Sequence, residues 1–143
     1  MSELLERAIW LAAEAHSGHI DKAGAPYIRH VMRVCQAVDD PIDRTVAALH
    51  DVLEDCPDWS AERLRAEGFP DAVVEAVLAL TRGEDESYGA FIERVALNPI
   101  ARRVKLADLR DNSDLSRLPH PGPADHARLR KYERAYARLT ATP

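Results

Sequence analysis

Cysteine is scarce in this chain: Cys35 and Cys56 are the two thiols in 143 residues. They make neither a CxxC pair nor metal-finger spacing. Inert, partly buried thiols in a reduced, cytoplasmic compartment are expected. Long apolar runs are missing too, and none approaches the ~20 residues needed to span a bilayer. The opening Met1-Ser-Glu-Leu-Leu-Glu-Arg lacks the basic and apolar regions of a signal peptide. Neither a leader nor a membrane partner is expected. A basic excess is also lacking, since acids outnumber bases 24 to 19 and the formal charge is −5. That balance argues against a nucleic-acid partner, whose binding would rest on phosphate neutralisation by a basic face. It leaves room for a small phosphorylated ligand, because a bound divalent cation supplies positive charge locally. Aromatics are few, at 6%. Trp10 and Trp59 are expected as core or semi-buried packing residues.

What is present is a soluble, globular composition, 46% apolar and 30% charged, of a length that suits one domain over residues 1–143. Nearly every segment reads as helix. Leu4, Leu5, Ala8, Leu11, Ala12 and Ala15 recur at helical spacing and predict a helix from Ser2 to about His16. A glycine-containing loop at 17–26 precedes a helix from Tyr27 to Val38. Asp40 and Pro41 supply a cap and a first-turn proline for a third helix, expected at about Ile42 to Asp55. Ser60 caps a short helix ending near Gly68. Pro70 begins another with Val73, Val74, Val77, Leu78 and Leu80 on its apolar face. Further helices are expected over Ser87–Leu97, about Ile100–Leu115 and about Ala124–Leu139. No strand alternation and no internal repeat is evident. The fold class is all-α, a compact single-domain bundle of about eight helices.

Chemistry concentrates on the third helix, where His50, Asp51, Glu54 and Asp55 put an imidazole and three carboxylates into six residues. Residues three and four apart are neighbours on a helix surface, so Asp51 sits beside Glu54 and Asp55. Leu49, Val52 and Leu53 mark the same element as core, and acids beside core positions are costly unless something positive neutralises them. A solvated acidic stripe is the bland alternative. Two other segments weigh against it: Tyr27-Ile-Arg-His30 opens a helix among Ile28, Val31 and Val34, and Asp108 stands mid-helix in an apolar setting with Asn112 one turn on. His30, His50, Asp51 and Asp108 together make a mixed nitrogen–oxygen donor set. It suits Mn²⁺ or Fe²⁺, or another divalent ion, better than structural zinc. Four such ligands leave positions open for water and a phosphate oxygen. Glu54 and Asp55 are the candidates to orient and deprotonate that water.

Pro26-Tyr27-Ile28-Arg29-His30, His50-Asp51-Val52-Leu53-Glu54-Asp55, and Lys105-Leu106-Ala107-Asp108 with Asn112 resemble the hydrolase domain of the alarmone hydrolases. These are HD-superfamily enzymes that remove the 3′ pyrophosphate from (p)ppGpp. The resemblance spans about residues 8 to 136 and matches a stand-alone small hydrolase without a synthetase domain. It implies metal ligation by His30, His50, Asp51 and Asp108, with Mn²⁺ as the cofactor. It also implies water activation by Glu54 and Asp55, and contact of Asn112 with the nucleotide or its phosphates. The products would be GDP or GTP plus pyrophosphate.

The same resemblance points to the loop before Pro26 and to the C-terminal helix as nucleotide contacts. There His19 is placed to stack on a base, Lys22 to meet a phosphate, and Tyr132 to lie near the nucleotide. The loop reads Ser17-Gly-His-Ile-Asp-Lys22, with Ile20 where the family commonly carries a cation, and Asp114 stands where related enzymes often offer a base. Most cations of the C-terminal helix, among them Arg128, Arg130, Lys131, Arg134 and Arg138, read as a basic outer face. Two other functions stay open: a phosphohydrolase of the same type for another nucleotide or phosphorylated metabolite, and a non-catalytic, metal-stabilised nucleotide-binding module. The oligomeric state is not legible.

Overall fold

A computed structural model describes residues 2–141. Helices form where capping and apolar spacing coincide. Ser2 caps α1 (Glu3–Ala15) by accepting from the Leu5 amide. Asp40 caps α3 (Pro41–Leu49) by accepting from the Ile42 amide, with Pro41 at the first position. Between them lies α2 (Ile28–Ala37). Ser60 caps α5 (Ala61–Ala66), and Gly68 follows at φ +93°, a conformation that glycine adopts without a Cβ clash. Helix α6 covers Asp71–Ala79. Ser87 caps α7 (Tyr88–Ala96), and Asn98 caps α8 (Pro99–Asn112). Helix α9 covers Pro123–Thr140. The expected all-α bundle is therefore observed, without a strand among the described residues.

Three expectations need correction. The third helix does not run unbroken to Asp55: it stops at Leu49, and a single turn, α4 (Val52–Asp55), follows. The cause is local. His50 Nδ1 donates to the Ala47 carbonyl at 2.6 Å, occupying the acceptor that a continuing helix would offer to the Asp51 amide. The eighth helix ends at Asn112 rather than near Leu115, which instead opens a 3-10 turn at Leu115–Arg117. Trp10 is 73% exposed instead of packed. With 3.6 residues per turn it lies ~200° around α1 from Ala8, away from the stripe of Leu5, Ala8 and Ala12 that meets the core. Trp59 is half-buried, its ring covered by the Arg63 guanidinium at 3.9 Å.

The core is centred on α3, whose Val46, Ala47, Ala48 and Leu49 are fully buried. Two consecutive alanines let α1, α2, α6 and α8 pack around this one element. Buried Asp43 fixes the angle between α3 and α8: its carboxylate accepts from Arg103 Nε at 2.6 Å and Nη2 at 3.0 Å. That bidentate pair sets the helix ending at His50 against the helix carrying Asp108.

No described helix is long and apolar enough to cross a membrane.

Candidate metal centre

The end of α3, the first turn of α2 and the middle of α8 meet at one point. There a ligand atom from each of His30, His50, Asp51 and Asp108 lies within 4.8 Å of the others. His30 Nε2 is 2.9 Å from Asp108 Oδ1 and 4.0 Å from Asp51 Oδ2. His50 Nε2 is 2.9 Å from Asp51 Oδ2 and 3.4 Å from Asp108 Oδ1. Both Nε2 atoms are buried, yet neither has an aligned hydrogen-bond partner despite these short distances. Lone pairs converging on a shared point produce that pattern, and bonds of about 2.1 Å to one ion place its ligand atoms roughly 3 to 4 Å apart. The four residues fit a divalent ion and could hold one.

The second nitrogen of each imidazole fixes its tautomer. His50 Nδ1 donates to the Ala47 carbonyl, the contact that also ends α3. His30 Nδ1 donates to Asp111 Oδ2 at 2.6 Å, and Arg33 holds that carboxylate through Nε at 2.7 Å and Nη2 at 3.1 Å. Each Nε2 lone pair is thereby aimed into the cluster. The carboxylates are supported in the same way. Tyr27 donates its hydroxyl to Asp51 Oδ2. Lys105 Nζ reaches Asp108 Oδ2 at 2.9 Å, and Asn112 Nδ2 donates to Asp108 Oδ1 at 3.1 Å.

The imidazoles and carboxylates of the cluster shift one another strongly. Burial pushes the His50 ring down, but the Asp51 and Asp108 carboxylates outweigh it and hold the pKa well above the usual value. His30 is raised by Asp108 and Asp111 against the same burial. Burial likewise opposes ionisation of Asp51, and the His50 charge overcomes it, holding the carboxyl down at about 2.

The cluster forms one wall of an open cavity of about 400 Å³. Glu54 and Asp55 line it beside Asp51. Burial, then the neighbouring Asp51 and Glu54 carboxylates, push Asp55 up to about 6. Glu54 Oε1 accepts from the Arg82 amide at 2.9 Å, which fixes it at the rim. The same cavity is lined by Lys22, Arg82, Arg128 and Lys131, by Tyr88 and Tyr132, and by the further acids Asp21, Asp114 and Asp125. The Lys131 ammonium sits 4.3 Å from the Tyr88 ring centroid. Its pKa is lowered first by burial and then by Arg82, Lys105, Arg128 and Lys22, so these cations share one space. Arg128 is already paired with Asp125, so Lys22, Arg82 and Lys131 are the cations left to favour an anion here.

Lys22, Asn112 and Tyr132 all line this cavity. Asn112 also spends a donor on Asp108, so it supports a ligand as well as facing the open space. His19 does not line the cavity. Ile20 and Lys22 face the cavity, and His19 turns back to His16. The C-terminal cations divide: Arg128 and Lys131 reach the cavity, Arg130 and Arg134 are exposed, and Arg138 pairs with Glu93.

Sequence reasoning did not single out Asp111, Arg33, Arg82 or Tyr88. Asp111 stands three residues after Asp108, and Arg33 three after His30, so both share a helix face with a ligand; that spacing was the available signal. Arg82 and Tyr88 belong to no motif. Asp111→Asn should lower divalent-metal affinity by roughly 10- to 100-fold, because a neutral amide orients and polarises His30 less strongly. Calorimetric titration of the metal-stripped protein with Mn²⁺ measures this, and an unchanged affinity would remove Asp111 from the supporting role.

No family model and no curated protein matches this chain.

Proposed function

We propose that this protein is a metal-dependent phosphohydrolase of the HD type that removes the 3′ pyrophosphate from (p)ppGpp, with Mn²⁺ at His30, His50, Asp51 and Asp108. One observation carries the reading. A largely buried two-histidine, two-aspartate cluster with both Nε2 atoms unpartnered opens on a cavity lined by Glu54, Asp55 and further acids together with the cations Lys22, Arg82, Arg128 and Lys131. The resemblance of the three motifs to the alarmone hydrolases supports the particular substrate.

A divalent ion in this donor set supplies positive charge at the transferring phosphoryl group and eases deprotonation of water. The chain's own residues do the rest. Lys22, Arg82, Arg128 and Lys131 bind the phosphates, and Tyr88 and Tyr132 offer rings against which a base can lie. Asp55 takes the proton of the attacking water, and Glu54, pinned by the Arg82 amide, orients it. The water oxygen bonds to phosphorus as the bond from that phosphorus to the 3′ oxygen breaks. The 3′ oxygen leaves as a hydroxyl by taking up the proton that Asp55 accepted, and pyrophosphate is released.

Purified protein incubated with Mn²⁺ and ppGpp should release pyrophosphate and GDP, and chelation should stop the release. Phosphate release from other nucleotides, with ppGpp untouched, would leave the metal chemistry standing and replace the substrate. Retention of ppGpp without turnover of any nucleotide would identify a binding module instead.

A further inference from the structure

Behind the metal centre, at the opposite end of Tyr27, lies a second group of metal-type donors: His16, His19 and Cys56. His16 Nδ1 is 3.3 Å from His19 Nδ1 and 3.9 Å from Cys56 Sγ, and the three donor atoms all fall within 4.8 Å of one another. Metal–nitrogen bonds of about 2.0 Å and a metal–sulfur bond of about 2.3 Å, at tetrahedral angles, put such atoms roughly 3.3 to 3.6 Å apart. The two His16 distances lie close to these values, the longer one at sulfur. We propose that His16, His19 and Cys56 form a second metal site that takes thiophilic ions such as Zn²⁺ or Cd²⁺.

Three features support it beyond spacing. First, the donors are preorganised. His19 is tied to its place by its own amide on the His16 carbonyl at 2.9 Å and by the Tyr27 amide on its carbonyl at 2.8 Å. The Cys56 amide closes α4 on Val52 at 3.0 Å. Second, His16 is available as a ligand. It is buried, its Nδ1 has no backbone partner, and its Nε2 has no partner at all. Burial lowers its pKa to about 4, so the ring is neutral and carries a free lone pair at neutral pH. Third, the site has an entrance, because His19 is exposed while the other two are buried.

Donor chemistry separates the two centres. Two imidazoles and a thiolate prefer soft or borderline ions, whereas the four-residue cluster with its two carboxylates suits harder ones. Cys56 Sγ donates weakly to the Ala15 carbonyl at 3.3 Å, and burial raises its pKa. Binding therefore breaks that contact, forms the metal–sulfur bond and releases the thiol proton to solvent. His16 packs on Tyr27 with ring centroids 5.1 Å apart, and Tyr27 donates to Asp51, so the two centres share one wall.

Cd²⁺ titration of the full chain, first saturated with Mn²⁺, tests the site. Ultraviolet thiolate-to-cadmium charge-transfer absorption corresponding to one thiolate per chain is expected. Cys35→Ser should keep that absorption and Cys56→Ser should abolish it. His19→Ala alters an exposed side chain and spares the core. Removing a partner of a ligand costs a metal site about 10- to 100-fold, so removing the ligand His19 should weaken Cd²⁺ binding at least as much. Absence of the absorption, its survival in Cys56→Ser, or its indifference to His19→Ala would each overturn the proposal. None of these readouts depends on the hydrolytic reading of the first centre.

Discussion

Asp108→Asn is expected to abolish stoichiometric Mn²⁺ binding and to lose all metal-dependent hydrolysis with it. Asp108 Oδ1 lies 2.9 Å from His30 Nε2 and 3.4 Å from His50 Nε2, whereas Asp51 Oδ2 is 2.9 Å from His50 but 4.0 Å from His30. An amide of the same shape keeps the packing and removes the negative charge, so the remaining donors cannot balance a divalent ion. The substitution also strands Lys105, whose ammonium is 2.9 Å from Asp108 Oδ2. Breaking a buried ion pair by removing one member costs several kcal/mol; here about 3 kcal/mol is expected, the low end, because Lys105 opens on the cavity. Elemental analysis reads the metal, and urea unfolding of the metal-free variant reads the stability. A variant that bound Mn²⁺ as tightly as the parent would remove Asp108 from the ligand set. In the parent, protons and metal compete for both Nε2 atoms, whose pKa values are raised. Metal affinity should therefore fall as the pH is lowered through that raised range. By mass action, Mn²⁺ at a hundred times its Kd should stabilise the fold by about 2.7 kcal/mol, and chelation should reverse this.

Removing either second-row acid should leave the metal in place and cut the rate. A positioned general base contributes roughly 10²- to 10⁴-fold, so Asp55→Asn and Glu54→Gln should each lower kcat within that range at unchanged Mn²⁺ content. The two differ in their pH profiles. Asp55 has a pKa pushed up to about 6 by burial and by the Asp51 and Glu54 carboxylates. It accepts a proton only when ionised, so activity should rise with pH through a limb at or below about 6. Metal loading cancels the Asp51 charge and moves the limb downwards. Asp55→Asn should remove the limb. Glu54→Gln retains an acceptor for the Arg82 amide and should lower the rate without shifting the limb. Full activity in both variants would leave the water without an assigned base.

Much of the fold follows from local chemistry. Ser2, Asp40, Ser60, Ser87 and Asn98 each accept from an amide in the first turn of the helix they precede. Side-chain caps, prolines at first-turn positions and apolar residues at helical spacing are short-range signals, readable from the chain alone. The break between α3 and α4 was not readable, because it depends on which way the His50 ring turns once Leu49 is buried. Trp10 shows the related limit: its hydrophobicity suggested the core, and its place around α1 decided otherwise.

By itself, the sequence determined an all-helical chain and singled out the four residues that the fold gathers into one cluster, since residue types and their separations within a helix are properties of the chain. Only the tertiary structure decided what surrounds those donors. His30 and Asp111 are 81 residues apart, and whether they touch depends on how α2 and α8 cross. The cations of the α6–α7 loop and α9 line the same cavity as the candidate metal cluster, and His19 joins His16 and Cys56 rather than the cavity, for the same reason. Such encounters arise from packing angles between helices, which no spacing within a single helix encodes.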